Sequence, residues 1–333
     1  MRTIKRFTLL AVLLALFVAA KQDKTTTIFI IGDSTAANKD ISKGKLERGW
    51  AMALQCYFDD NIVVDNHAVN GRSSLSFINE GRWQKVLDRM RPGDYVIIQF
   101  GHNDEKPKPD RHTDPGSTFD YNLAKFVRET RERGGIPVLM NCVVRRNFAK
   151  VTPKNDDDEA LRGTTFKDAP KTIEGDSLVD THGLYAVAPR DVAARMNVHF
   201  VDANKITHDL EQGLGVEASK KLHMWFLPGE EPSVPKGRQD NTHYNINGAH
   251  KVARLLADAL VEEVPVLSKY RVDYDVAVDS KGRGHYLTLD EAMKHIDPLK
   301  PVTIQLFEGT YDKPQLPKKN KVTFVLRDGA KWK

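Results

Sequence analysis

Ile28-Phe29-Ile30-Ile31-Gly32-Asp33-Ser34-Thr35 is an apolar run that stops at a glycine, an acid and a serine. Four large apolar residues in a row, with no polar alternation, suit a strand buried on both faces of a parallel sheet. Gly32-Asp33-Ser34 then supplies turn chemistry, since glycine tolerates positive φ and Asp and Ser bond to nearby backbone. A hydroxyl at the carboxyl end of a first strand lies where an open α/β sheet places its ligands. Taken alone, the three residues are an ordinary turn. The serine needs support from the rest of the chain.

Strand and helix signals alternate outward from this stretch. Residues 49–58 read as a helix, and Ile62–Asp65 as a second strand followed by a polar loop through Asn70-Gly71-Arg72-Ser73. Residues 77–90 carry a helical pattern that Pro92-Gly93 ends, and Tyr95–Phe100 is a strand apolar on both faces. A helix over 121–133 stops at Gly134-Gly135, before a strand over 136–144. A polar excursion over 145–180 comes next, and loops of that length are often functional. Helix 184–196, strand 198–201, helix 203–214, an irregular stretch over 222–241 and a closing helix 246–263 complete the series. This alternation predicts an α/β fold with a parallel sheet covered on both faces. After Pro265 the pattern changes to short strands at 274–278, 302–306 and 321–326 around a helix at 287–296. A boundary is expected near 267–271. Gly282-Arg283-Gly284 lacks the third glycine and the acidic partner of a dinucleotide loop, so that reading is rejected.

The chain has 333 residues and is 40% hydrophobic, enough for one sizeable core and a small second unit. Arg2, Lys5 and Arg6 precede an apolar run ending Val18-Ala19-Ala20, which reads as a secretory signal peptide over residues 1–20. At about 14 residues the run is short for a bilayer span, the alternative being an uncleaved anchor. No cysteine sits near the cleavage site, which argues against a lipoprotein anchor. Without this segment 47 basic residues face 45 acidic ones, so the charge gives no reason to expect a nucleic-acid partner. After processing no membrane segment is expected, and the destination is the periplasm or the exterior. Export permits a disulfide between Cys56 and Cys142, yet both lie in apolar runs, which favours two buried thiols. No Cys/His spacing suggests a metal site.

Four loops are expected at one edge of the sheet, and each offers a different chemical part. Ser34 is a nucleophile that needs a base to take its proton. His243 supplies that base, and Asp240, three residues earlier, can hold the second ring nitrogen and balance the charge that develops. The oxyanion of an acyl-transfer intermediate needs fixed donors, and the N–H groups of Ser34 and Gly71 with the side-chain amide of Asn103 provide them.

Gly32-Asp-Ser, Asn70-Gly71, Gly101-His-Asn-Asp104 and Asp240-Asn-Thr-His243 resemble the four blocks of the SGNH, or GDSL-type, hydrolases. Gly49-Trp50, Asn70-Gly-Arg-Ser-Ser74, Thr181-His-Gly183 and Gly248-Ala249 narrow the resemblance to the rhamnogalacturonan acetylesterase branch, over about Thr26 to Val264. The resemblance implies a flavodoxin-like three-layer α/β/α sandwich that uses no metal or other cofactor. It further implies a Ser34–His243–Asp240 triad with an oxyanion hole at Ser34, Gly71 and Asn103. The expected substrate is acetylated pectic polysaccharide, with Arg72, His102 and Trp225 as candidates for the sugar groove, although Trp225 serves equally well as packing. Acetylated xylan, small acyl esters and a non-catalytic carbohydrate-binding role are the alternatives.

Residues 273–279, 284–292 and 302–311 resemble the opening of a pectin methylesterase, where a parallel β-helix begins. The chain ends at Lys333 after a rung or two, and the carboxylates that family uses are absent, so no methylesterase activity is expected. The predicted organisation is a signal peptide over 1–20, an esterase domain over 21–268, and a short partial β-helix-like piece over 269–333. Oligomeric state is not legible.

Overall fold

The structure, a computed structural model, describes residues 25–148 and 175–333. The expected signal peptide and most of the polar excursion lie outside the described residues. Five strands build the main sheet: β1 (Thr26–Gly32), β2 (Ile62–Asn66), β3 (Tyr95–Gln99), β4 (Ile136–Met140) and β5 (His199–Val201). Their order is β2-β1-β3-β4-β5, and every pairing is parallel. The order reverses direction at β1, so a crevice opens between the carboxyl ends of β1 and β3.

The helices are α1 (Trp50–Ala53), α2 (Ser74–Asn79), α3 (Arg82–Leu87), α4 (Thr118–Glu132), α5 (Leu184–Met196), α6 (Ala203–Ser219) and α7 (Ile246–Glu263). Alternate strand residues divide between two layers, as the two-residue period of a strand requires. Ile28, Ile30, Ile97, Val138 and Met140 pack with α1 and α7. Phe29, Ile31, Val96, Ile98 and Leu139 pack with α2, α3, α4 and α5. Burying each such side chain contributes roughly 1.5–3 kcal/mol, so both faces commit the sheet to a three-layer sandwich. This is the fold the alternation and the resemblance led one to expect.

Several local expectations change. The single helix expected over 77–90 is two, α2 and α3, because Gly81 turns the chain at φ 68°. Helix 49–58 tightens into a 3-10 turn after Ala53. Strand β4 stops at Met140, where Asn141 turns aside and its side chain donates to the Ala186 carbonyl and the Asp202 carboxylate. The stretch 222–241 is not irregular throughout. It holds β6 (His223–Phe226), and its end falls within β7 (Arg238–Tyr244), which pairs antiparallel with β6. Cys56 and Cys142 are free and buried.

Beyond a 3-10 turn at Pro265–Tyr270, the tail forms β8 (Val276–Val278), α8 (Leu289–His295), β9 (Val302–Leu306), β10 (Gly309–Tyr311), β11 (Val322–Leu326) and β12 (Ala330–Trp332). Strands β8, β9 and β11 pair in parallel, as do β10 and β12, so β9–β10 and β11–β12 stack as successive layers. The tail is docked on the α1 side of the sandwich. Ala277 and Phe307 enter the main core cluster. Gln305 donates to the Cys56 carbonyl at 2.9 Å, and Arg327 donates to the Phe58 carbonyl at 2.8 Å.

Candidate active site

Strand β1 delivers Ser34 on a turn held by its neighbour. Asp33 is fully buried, and one of its carboxylate oxygens accepts both the N–H and the hydroxyl of Thr35 at 2.8 Å. The Thr35 carbonyl then accepts the N–H of Trp50, which seats the turn on the start of α1. Burial pushes the Asp33 carboxyl up, against the lowering effect of the Thr35 bonds.

Asp240 and His243 come to this turn on β7 rather than on a loop before the last helix. The Ser34 hydroxyl donates to His243 Nε2 at 2.9 Å, and His243 Nδ1–H donates to Asp240 Oδ2 at 2.8 Å. All three residues are at least nine-tenths buried. The other Asp240 oxygen accepts the backbone N–H groups of Thr242 and His243, each at 2.9 Å. Burial alone would raise the Asp240 carboxyl, but His243, Arg238 and these amides hold it well below the usual carboxylate range. The carboxylate therefore stays ionised against an imidazole that gains a proton. Such a chain can draw the proton off a serine hydroxyl as it attacks.

The loops that hold Gly71 and Asn103 meet one another. Gly71 sits at φ 72°, a conformation that suits glycine in the turn after β2. The Asn103 side-chain amide donates to the Arg72 carbonyl at 3.3 Å, tying the loop after β3 to the loop after β2. Asp104 reinforces the joint by accepting the Ser74 N–H and hydroxyl and the Thr113 hydroxyl. Burial pushes Asp104 up to about 7. Among the described residues the N–H groups of Ser34 and Gly71 have no backbone acceptor outside regular elements.

The three candidates for the sugar groove fare differently. Arg72 is half-exposed, with its guanidinium on Glu80 and on the Asn70 carbonyl. His102 is not an open groove wall: it is 2% exposed and packs edge-on against His182, ring centroids 4.3 Å apart. Burial and the nearby His182 and Arg145 hold its imidazole well below its usual range, hence neutral. Trp225, on β6, is half-buried and carries the Lys220 ammonium over its ring at 4.4 Å.

The structure adds residues that the sequence reading left without a role. His182 Nδ1–H donates to Glu105 at 2.9 Å, and Arg145 pairs with the same carboxylate. Arg238 pairs with Asp240 and Glu47. Arg238 lies two residues before Asp240 on β7, so the strand places both side chains on one face, but the sequence carried no sign of that strand. Glu47 is distant in sequence and gave no signal. Among the described residues there is no cluster of three or more His, Cys, Asp or Glu able to hold a metal.

Residues 30–251 match the GDSL-like lipase/acylhydrolase family. The chain is 36% identical over 239 residues to the rhamnogalacturonan acetylesterase RhgT of Bacillus subtilis (strain 168), covering 72% of this chain and 91% of that protein. It is 41% identical over 264 residues to a rhamnogalacturonan acetylesterase of Emericella nidulans, covering 75% of this chain and 91% of that one. A solved structure of the Bacillus subtilis protein YxiM superposes with a TM-score of 0.56 at 22% identity, over 73% of this chain and 58% of that one. That last likeness concerns the fold. With a parallel sheet, a serine on the turn after its first strand and relatives of this kind, the chain belongs to the GDSL-like lipase/acylhydrolase family and is a carboxylic ester hydrolase.

Proposed function

We propose that this protein is exported and removes O-acetyl groups from pectic rhamnogalacturonan, with Ser34 as nucleophile, His243 as general base and Asp240 as its partner. The observation that carries the reading is the unbroken line from the Ser34 hydroxyl through the His243 ring to the Asp240 carboxylate, at 2.9 and 2.8 Å. Ser34 Oγ attacks the acetyl carbonyl carbon while His243 Nε2 takes the hydroxyl proton. The resulting oxyanion accepts hydrogen bonds from the Ser34 and Gly71 N–H groups and the Asn103 amide. Collapse breaks the bond to the sugar oxygen, which receives the proton from His243. Water, deprotonated by the same imidazole, then attacks the acetyl-serine and releases acetate.

The substrate assignment is supported by relatives named as rhamnogalacturonan acetylesterases and by a tail whose sequence resembles the opening of a pectin-modifying enzyme. Acetate release is the direct test, from acetylated rhamnogalacturonan and from acetylated xylan, with the wild-type chain and Ser34→Ala. Release from the pectic polymer, abolished in the variant, is the expected result. Equal release from xylan would retain the serine chemistry and overturn the pectic assignment.

A further inference from the structure

We propose that Arg238 is a positioning residue for Asp240, and that Glu47 holds Arg238 in that role. The proposal rests on the reading of Asp240 as the partner of the general base. Asp240 Oδ2 receives both the His243 Nδ1–H and an N–H of the Arg238 guanidinium. Its Oδ1 is already engaged by two backbone amides. Arg238 thus meets the same oxygen as the imidazole and fixes how the carboxylate presents it.

The second end of Arg238 is fixed as well. Its Nη1 meets Glu47 Oε2 at 2.9 Å, and Glu47 Oε1 meets Lys39 Nζ at 2.9 Å. The side chains of Arg238 and Glu47 are 13% and 15% exposed, so this is not a solvated surface pair. Glu47 is itself anchored, bridging antiparallel to Asn245 immediately after β7. Charge alternates along the row Lys39, Glu47, Arg238 and Asp240. That alternation has a chemical use. A lone cation on Asp240 would weaken its pull on the imidazolium, whereas Glu47 on the far side offsets Arg238 and leaves the pull intact. Arg238 then supplies geometry with little electrostatic penalty.

The test compares wild type, Arg238→Gln, Arg238→Lys, Glu47→Gln and the Arg238→Gln/Glu47→Gln double variant. The readouts are kcat and KM on p-nitrophenyl acetate and the rate of covalent labelling by a fluorophosphonate, with folding checked by circular dichroism. Neither readout depends on the polysaccharide. Arg238→Gln is expected to lower kcat and the labelling rate about 10–100-fold, with KM within about 3-fold. Arg238→Lys should recover a large part of the loss, which a merely structural filler would not do. The double variant should match Arg238→Gln within about 2-fold, because Glu47 acts through the arginine. Folded Arg238→Gln with wild-type kcat and labelling overturns the proposal, as does a double variant that loses the product of the two single effects. Should Arg238→Gln fail to fold, Glu47→Gln with an unchanged kcat overturns it. A wild-type chain that neither labels nor hydrolyses overturns the serine reading instead, and the positioning role with it.

Discussion

Replacing Arg327 by Met should weaken the whole molecule rather than only its tail. The side chain is 5% exposed and makes three contacts that Met cannot. Its Nη1 donates to Gln305 Oε1 at 2.7 Å, its Nη2 to the Phe58 carbonyl at 2.8 Å, and its Nε to Asp60 at 2.9 Å. The substitution leaves the first two acceptors buried without this donor, at about 1–3 kcal/mol each. Asp60 is partly exposed and recovers water, so its contribution is small. Arg327 also lies over the Phe307 ring at 4.8 Å, as does Arg283 at 4.6 Å, which adds about 0.5–2 kcal/mol. The sum is about 2.5–8 kcal/mol, a large share of the stability of an ordinary domain. Urea unfolding should be followed by two tryptophans in separate single-tryptophan backgrounds, Trp50 under the main sheet and Trp332 in the last strand. Both transitions should move together to lower urea by that amount. A Trp332 transition that separates from Trp50, or a total change below about 1 kcal/mol, would refute the view that the tail and the sandwich share one core.

Asn103→Ala should lower kcat about 10²–10³-fold with little change in KM, as loss of an oxyanion donor does, measured by steady-state kinetics on any accepted acetyl ester. A change confined to KM would remove Asn103 from that role. For acid stability, burial raises the Glu105 carboxyl, but His182 and Arg145 more than offset it and bring it from 4.5 to about 2. A depressed carboxylate contributes stability above its unfolded value, and that contribution is lost as pH falls through the folded one. Wild type should therefore lose on the order of 3 kcal/mol from this group between about pH 4.5 and 2, and Glu105→Gln should lose correspondingly less. Parallel curves from urea titrations at each pH would refute this.

The sheet was legible because its signal is local. Ile28–Ile31 and Tyr95–Phe100 are unbroken apolar runs, and no other arrangement buries both faces of so many such strands. The Ser34, Asn103, Asp240 and His243 positions were legible as candidates because this chemistry confines each to a few residue types. What escaped was set by contacts across the chain. Nothing near Asp240 announces β7, because its pairing with β6 is made across a long connection at 227–237. Gly81 divides a pattern that is apolar at helical spacing on both sides, and periodicity does not register a reversal of φ. His102 looked like a groove residue from its place beside Asn103. It is buried and packs against His182, about eighty positions away.

The placement of Asp240 and His243 on one strand has a mechanical consequence. Their mutual geometry is set by the strand's own backbone, through the amides that Asp240 accepts from Thr242 and His243. The serine belongs to a different element and reaches them through one hydrogen bond. Carboxylate and imidazole are therefore carried together on one strand, while the serine reaches them from the β1 turn. The geometry of the carboxylate–imidazole pair is thus set within one strand, and the alignment of the serine is set separately by the packing of the β1 turn against β7.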